Sequence, residues 1–251
     1  MLPFEPTPEL LLYVAVVYLA TGVVKGVIGM GLPLVTLPLL APAIGPITAM
    51  ALLTMPAILT NLWQALQSGH FMAAIRRFWV CYLFAMIGIG IGVGFLTRMP
   101  REAVTVILGS IVVLASLNQL FPLRITVPPA LERKLMAPLG LISGLLGGLS
   151  MMFGPLMALY LVTIRLPKDE FVGVIGLFYF LSSIPFTIGL MIGGRFGVPE
   201  FTGSLAATIL VIAGMMLGQV FRKFVPQEIF RRTILILLIV IGLNVVWKGL
   251  A

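Results

Sequence analysis

Among the long stretches of this chain that carry no charged residue at all, four are Phe78 to Thr97, Ala103 to Phe121, Phe201 to Phe221 and Thr233 to Trp247. A fifth, Leu10 to Ile28, carries only Lys25. As helices, runs of about 20 mostly apolar residues are long enough to cross the roughly 30 Å hydrocarbon core of a bilayer. A soluble fold would have to bury them all, and the chain has little with which to cover them. Of its 251 residues 60% are hydrophobic and 10% charged, where a soluble domain uses about 25% charged residues. The mean hydropathy is +1.17. The expected fold class is all-α, a polytopic helical membrane protein.

The net charge of +8 is then read as the Lys and Arg excess of inward-facing loops rather than as a nucleic-acid footprint. Glu5 and Glu9 precede the first apolar run and no Lys or Arg occurs before position 25, which is not the pattern of a cleavable signal peptide. The single cysteine, Cys81, excludes an intramolecular disulfide and any cysteine-based metal cluster.

Apolarity alone predicts eight helices: 10–29, 32–66, 77–97, 101–120, 134–150, 151–190, 200–221 and 228–248. Two are too long for single spans. The sixth would carry Arg165, Lys168, Asp169 and Glu170 into hydrocarbon, at about 2.5–3.5 kcal/mol for each central charge. Breaks at Ala43–Pro46 and Leu166–Lys168 remove both problems. Proline is well placed just inside a helix start, and Asp169 and Glu170 would sit in a first turn, where they favour the helix dipole. The short 32–43 piece, about 18 Å as a helix, fits a tilted span or half of a re-entrant hairpin.

Each half now holds five segments, so the second half is inverted, giving 8–10 membrane segments in all. With the acidic N-terminus outside, the inner loops carry Arg76, Arg77, Arg124, Arg133, Lys134, Arg165, Lys168, Arg222, Lys223, Arg231 and Arg232. The outer ones carry Arg98, Arg101, Arg195 and Lys248. That is eleven against four, whereas the unbroken eight-helix arrangement gives six against seven. The expected organisation is a first repeat over 1–122, a linker over 123–133 and a second repeat over 134–251.

Direct comparison of the halves supports duplication. Gly22, Gly26 and Gly29 recur 118 positions later as Gly140, Gly144 and Gly147, and Pro46 recurs as Pro167 at 121. Gly90, Gly94 and Arg98 recur as Gly214, Gly218 and Arg222 at 124, and Pro100 and Glu102 as Pro226 and Glu228 at 126. Glycine-interrupted apolar segments at matching places in two halves point to a transporter's binding site.

The first such segment runs from Gly22 through Lys25, Gly26, Gly29, Met30 and Gly31 to Pro33. The second runs from Gly140 through Ser143, Gly144, Gly147, Gly148 and Ser150 to Gly154 and Pro155. Unwound backbone is tolerated at membrane depth only where protein buries it or it lines a wet cavity. A helix restarting after the break points free N–H groups at that space, which suits an anion. The alternative for the outer glycines is small-xxx-small helix packing. Gly29, Gly31 and Pro33 together favour a true break, because packing does not require proline.

Lys25 is the only charged residue inside an expected span. Two roles fit it: holding an anionic substrate, or snorkelling from the end of the first helix. Its counterpart is Ser143. A second polar pair, Asn61 and Ser182, lies 121 apart, with Thr54, Thr60, Trp63 and Gln64 near the first and Tyr179, Ser183 and Thr187 near the second. These groups can donate to oxyanions, or act as interhelical glue. All eight acidic residues fall near loops or helix ends and His70 is the only histidine. That argues against a carboxylate proton relay and a two-histidine metal site. No zinc-protease helix, nucleophile elbow, Walker loop or dinucleotide fingerprint occurs, so the chain reads as no enzyme, with no cofactor.

The break Gly26-Val-Ile-Gly29-Met-Gly31-Leu-Pro33 resembles the N-terminal signature of the TauE/SafE family. So do its weaker copy at Gly144–Gly154 and the closing pattern Gly214-Met-Met-Leu-Gly218, Arg222, Pro226-Gln-Glu228-Ile-Phe-Arg231-Arg232. Lys25 before Gly26 and Pro33 after Gly31 depart from the commoner glycine-only pattern. The resemblance covers nearly the whole chain. It implies a bacterial inner-membrane permease that exports sulfite, organosulfonates such as sulfoacetate, or related small anions, with the lipid bilayer as its surroundings and no nucleic-acid partner. The expected substrate-binding residues are Lys25, Gly29, Met30, Gly31, Pro33, Asn61, Gln64, Ser143, Gly147, Gly148, Ser150 and Ser182. They would form a pocket at the repeat interface that works by alternating access and is driven by the membrane potential. An anion channel, or an importer of the same anions, is the alternative.

Overall fold

A computed structural model describes residues 7–29, 31–121, 128–221 and 227–250. They form eleven α-helices: α1 (Pro8–Ile28), α2 (Leu32–Ile44), α3 (Pro46–Leu52), α4 (Thr54–Gln67), α5 (Phe71–Leu96), α6 (Arg101–Leu120), α7 (Pro129–Ser150), α8 (Gly154–Thr163), α9 (Lys168–Ile192), α10 (Val198–Phe221) and α11 (Gln227–Leu250). Six of these helices are long and apolar enough to cross a membrane: α1, α5, α6, α9, α10 and α11. The broken pair α3–α4 is long enough for a seventh span, while α2 and α8 are apolar but short. The chain is a polytopic helical membrane protein. Of the residues invoked above, Glu5, Met30, Arg124, Arg222, Lys223 and Pro226 lie outside the described residues.

Both expected breaks are present. Gly45, at φ 90°, separates α2 from α3, and Ile164–Pro167 separates α8 from α9. A further interruption at Leu53 was not expected from the apolar pattern. Pro56 has no N–H to give the carbonyl of Leu52, so the helix fails one turn before it. The exposed polar groups are met locally: Thr54 Oγ donates to the carbonyl of Ala51 (2.8 Å), and the backbone N–H of Met55 donates to Ser204 Oγ (2.9 Å). Helix α5 also begins earlier than apolarity suggests, so Arg76 and Arg77 lie in its first two turns rather than in a loop.

The described helices group into two compact units, each drawing on both halves of the sequence. The first holds α1, α2, α3, the opening of α4, α6, α10 and α11; the second holds the rest of α4 with α5, α7, α8 and α9.

In the first unit α1 and α10 run parallel in backbone contact. A methyl group on Gly22 or Gly26 would lie 3.0 Å from the Cα of Gly214 or Gly218 and would strike the carbonyls of Val211 and Met215. Helices α6 and α11 pack antiparallel, with Gly109 against the carbonyl of Gly242 and Gly249 against the carbonyl of Glu102. Near the other end Arg231 donates to the carbonyl of Gln119 (2.7 Å).

In the second unit α5 and α7 form the corresponding parallel pair. Gly140 sits on the carbonyl of Cys81, Gly144 on that of Ala85, and Gly148 against Gly92. Helix α9 also runs parallel to α5. Contacts step in the same direction along both, from Arg77–Glu170 through Tyr82–Val174 to Val93–Gly189 and Thr97–Gly193. An unbroken 151–190 helix would oppose α5, so this pairing requires the break that returns the chain between α7 and α9.

The glycines of α5 that pack are Gly88 and Gly92, whose added methyls would meet Leu141 and Gly148. Gly90 and Gly94 have open space around them. The packing counterparts of Gly214 and Gly218 are thus Gly88 and Gly92, not the Gly90 and Gly94 of the sequence comparison. Gly144→Ala or Gly214→Ala is expected to destabilise the protein by about 1–3 kcal/mol through overpacking. Gly90→Ala should leave stability unchanged or raise it by about 0.5–1 kcal/mol, by restricting the unfolded chain. Thermal melts in detergent check this ordering.

Candidate functional site

In the first unit, the break after α1 is made by two glycines in the left-handed region. Gly29, at φ 91°, caps α1 by donating its N–H to the carbonyl of Lys25 (2.7 Å), and Gly31, at φ 104°, precedes α2. An L side chain in that conformation costs about 1–2 kcal/mol. Among the described residues, no atom beyond the chain neighbours lies within 4 Å of where a Cβ would stand at either position. These two glycines are therefore needed for conformation and border open space, unlike Gly22 and Gly26, which are needed for close packing. Pro33 takes the second position of α2, where a missing N–H has no intrahelical partner to lose.

Helix α2 turns back along α1. Thr36 Oγ donates to Thr21 Oγ (3.1 Å), and the Tyr13 hydroxyl donates to the carbonyl of Leu39 (2.8 Å). One turn back from Thr36 sets Leu32 level with Lys25, because the helices run antiparallel. The first-turn N–H groups of Leu32 and Leu34 have no intrahelical acceptor. Lys25 is only 2% exposed and lies in the last turn of α1, where the helix dipole favours a cation. Tyr18, Thr21 and Lys25 share a helix face by their spacing of three and four. Tyr18 is 1% exposed, and its hydroxyl has no hydrogen-bond partner among the described residues. An unsatisfied buried hydroxyl is uncommon and calls for an explanation.

The equivalent break in the second unit is closed rather than open. Helix α7 ends in Met151, a non-glycine residue at φ 60°, whose N–H donates to the carbonyl of Gly147 (2.6 Å). Ser143 Oγ donates to the carbonyl of Phe153 (2.6 Å), Ser150 Oγ donates to that of Leu146 (2.8 Å), and Met152 N–H donates to Ser150 Oγ (3.2 Å). Both serines hold the turn together. The Phe153 ring fills the space at Gly147 and packs edge-on against Phe186 and Tyr179, with centroids 5.7 and 6.2 Å away. Gly148 packs on α5.

Three of the expected polar residues lie on α4 and α9. Asn61 is buried and donates to the carbonyl of Ala57 (2.8 Å), and Gln64 is half-buried and donates to that of Val172 (3.4 Å). Gly176 of α9 packs against the backbone at Asn61 and Ala65, and Ser182 is 1% exposed further along α9.

The structure thus gathers Lys25, Gly29, Gly31 and Pro33 at one break. It gathers Ser143, Gly147, Gly148 and Ser150 at the other, while Asn61, Gln64 and Ser182 lie on the α4–α9 pair. Tyr18, Thr21, Thr36 and Phe153 were not singled out by sequence reasoning. The spacing of Tyr18 and Thr21 from Lys25 is the signal that could have found the first two.

If Gly31 is kept for its φ alone, substitutions there should follow backbone preference and not size. Asn, which tolerates the left-handed region, should be mildest, Ala intermediate at about 1–2 kcal/mol, and β-branched Val worst. Ser143→Ala should cost about 1 kcal/mol by freeing the Phe153 carbonyl. Detergent melting curves read both series.

A family model described as sulfite exporter TauE/SafE matches residues 14–245. No curated protein and no solved structure gives a match. The chain belongs to the TauE/SafE family, which places it among membrane transporters of the sulfite-exporter type and not among enzymes.

Proposed function

We propose that this chain exports sulfite or a small organosulfonate such as sulfoacetate across a bacterial inner membrane by alternating access. The observation that carries the reading is the open break at Gly29–Gly31. It sets the N-terminus of α2 level with the buried Lys25. Two kinds of anion-stabilising group are available at that level, the Lys25 ammonium and the first-turn N–H groups of α2, and Tyr18 lies two turns earlier on the same face of α1. Such a set suits a compact oxyanion whose negative charge is spread over several oxygens.

In this reading Lys25 and the Gly29–Pro33 break, Met30 included, contact the anion. Asn61, Gln64 and Ser182 supply neutral donors that bind without holding too tightly. Ser143, Gly147, Gly148 and Ser150 shape the second break. Residues 1–122 and 134–251 act as inverted repeats. What supports this is the matched use of glycine, with α1 on α10 in one unit as α7 is on α5 in the other. The clustered Arg76, Arg77, Arg133 and Lys134 belong to the cytoplasmic side by the positive-inside rule.

The membrane potential supplies the drive. One charge moving through 100 mV gains about 2.3 kcal/mol, enough for a roughly fiftyfold gradient, and an inside-negative potential pushes anions outward.

Purified protein on a solid-supported membrane should give saturable currents on jumps of sulfite or sulfoacetate, larger than those for taurine, sulfate or chloride. Lys25→Ala should reduce them at least tenfold. Unchanged currents in the variant would refute the site. Unsaturating currents without counterflow would indicate a channel, and reversal with a pH gradient alone would refute potential-driven export.

A further inference from the structure

The second unit carries a strongly basic end that the transport site does not use. The first turns of α5 and α7 enclose a cleft of about 590 Å³, lined by Arg76, Trp79 and Val80 from one helix and Arg133 and Met136 from the other. Arg77 and Glu132 also line it, but they are committed to each other. Arg77 donates twice to Glu132 (2.9 and 3.0 Å), lies 3.9 Å from Glu170 and sits 5.2 Å over the Phe78 ring. Arg76 and Arg133 are exposed and form no ion pair among the described residues. The cleft therefore presents two uncompensated guanidinium groups, which match phosphate oxygens in pairs.

Its other lining is apolar. Trp79 is 56% exposed at the mouth, a placement typical of the bilayer interface. From Trp79 an exposed stripe runs down α5 through Leu83, Ile87 and Ile91, at four-residue spacing on one face. Leu135, Ile142 and Leu146 continue an exposed apolar face on α7. A soluble anion would use the arginines and leave this track idle. A second cleft of about 450 Å³ shares Arg76, Arg77 and Arg133, but its far wall adds Glu170 and His70 and lacks Trp79, so it offers an acyl chain no such start.

We propose that the α5–α7 cleft binds an anionic phospholipid, its phosphate between Arg76 and Arg133 and an acyl chain along Trp79, Leu83 and Ile87. Basic pockets between membrane helices on the cytoplasmic side are suited to such headgroups. The lipid clasps the N-terminal ends of the parallel α5–α7 pair.

Native mass spectrometry of the full chain in mild detergent, offered phosphatidylglycerol and phosphatidylcholine of identical acyl chains, tests this. Phosphatidylglycerol should be retained at least tenfold more, and R76Q/R133Q should bring the ratio near one while R76K/R133K keeps most of it. Inorganic phosphate at 10 mM should not displace the lipid. Equal retention of the two lipids, or full preference in R76Q/R133Q, overturns the proposal. Displacement by phosphate overturns it in favour of a soluble oxyanion site. Wild-type protein gives a reading that needs no variant. Raising ammonium acetate from 0.1 to 1 M shortens the screening length about threefold and should weaken the preference; a preference indifferent to salt contradicts it.

Discussion

Hydrocarbon offers helices no hydrophobic reason to associate, so the fold depends on how closely their backbones can approach. Here two parallel helix pairs make that approach by glycine on both partners, as Gly109 and Gly242 do in the antiparallel α6–α11 pair. Gly22 and Gly26 of α1 meet Gly214 and Gly218 of α10, and Gly140, Gly144 and Gly148 of α7 meet Gly88 and Gly92 with the backbone of α5. Both pairs are parallel and both join helices from different halves of the sequence. Each compact unit is organised around one such pair, so neither half folds upon itself alone.

The same constraint separates two uses of glycine that a sequence run presents together. Along Gly22, Gly26, Gly29 and Gly31 the first two are fixed by crowding and the last two by positive φ beside open space. Where the chain leaves helical geometry, its polar groups are exposed to a medium that cannot satisfy them. The second break answers by closing on itself through Ser143, Ser150 and Phe153. The first keeps its space, with the buried Lys25 one helical turn before it. That asymmetry between otherwise matched breaks is the strongest indication of where an anion is handled.

Much of this was legible beforehand because charge is so costly in a membrane. The charges at Arg165–Glu170 forbade a continuous helix, and the parallel course of α5 and α9 follows from the break they imposed. The register of α5 was not legible. Gly88, Gly90, Gly92 and Gly94 alternate, so 88/92 and 90/94 both satisfy small-xxx-small spacing, and two residues turn the helix by about 200°. Only the partner helix chooses the face. The interruption at Leu53 was hidden for a related reason: Pro56 disrupts the preceding turn, among residues as apolar as their neighbours. Nor does composition show that Ser143 serves a carbonyl while Lys25 is buried one turn before an open break, since both are single polar positions in matching places.

The central claim is that a positive charge at position 25 acts on the transported anion. The direct measurement replaces it chemically: Lys25→Cys in a Cys81→Ser background, assayed for sulfoacetate currents before and after treatment with an aminoethylating thiol reagent. The account predicts currents lost on substitution, restored by the aminoethyl group and not by an uncharged methyl group, with sulfoacetate slowing the modification. Currents that survive the substitution, or that either reagent restores equally, would contradict it.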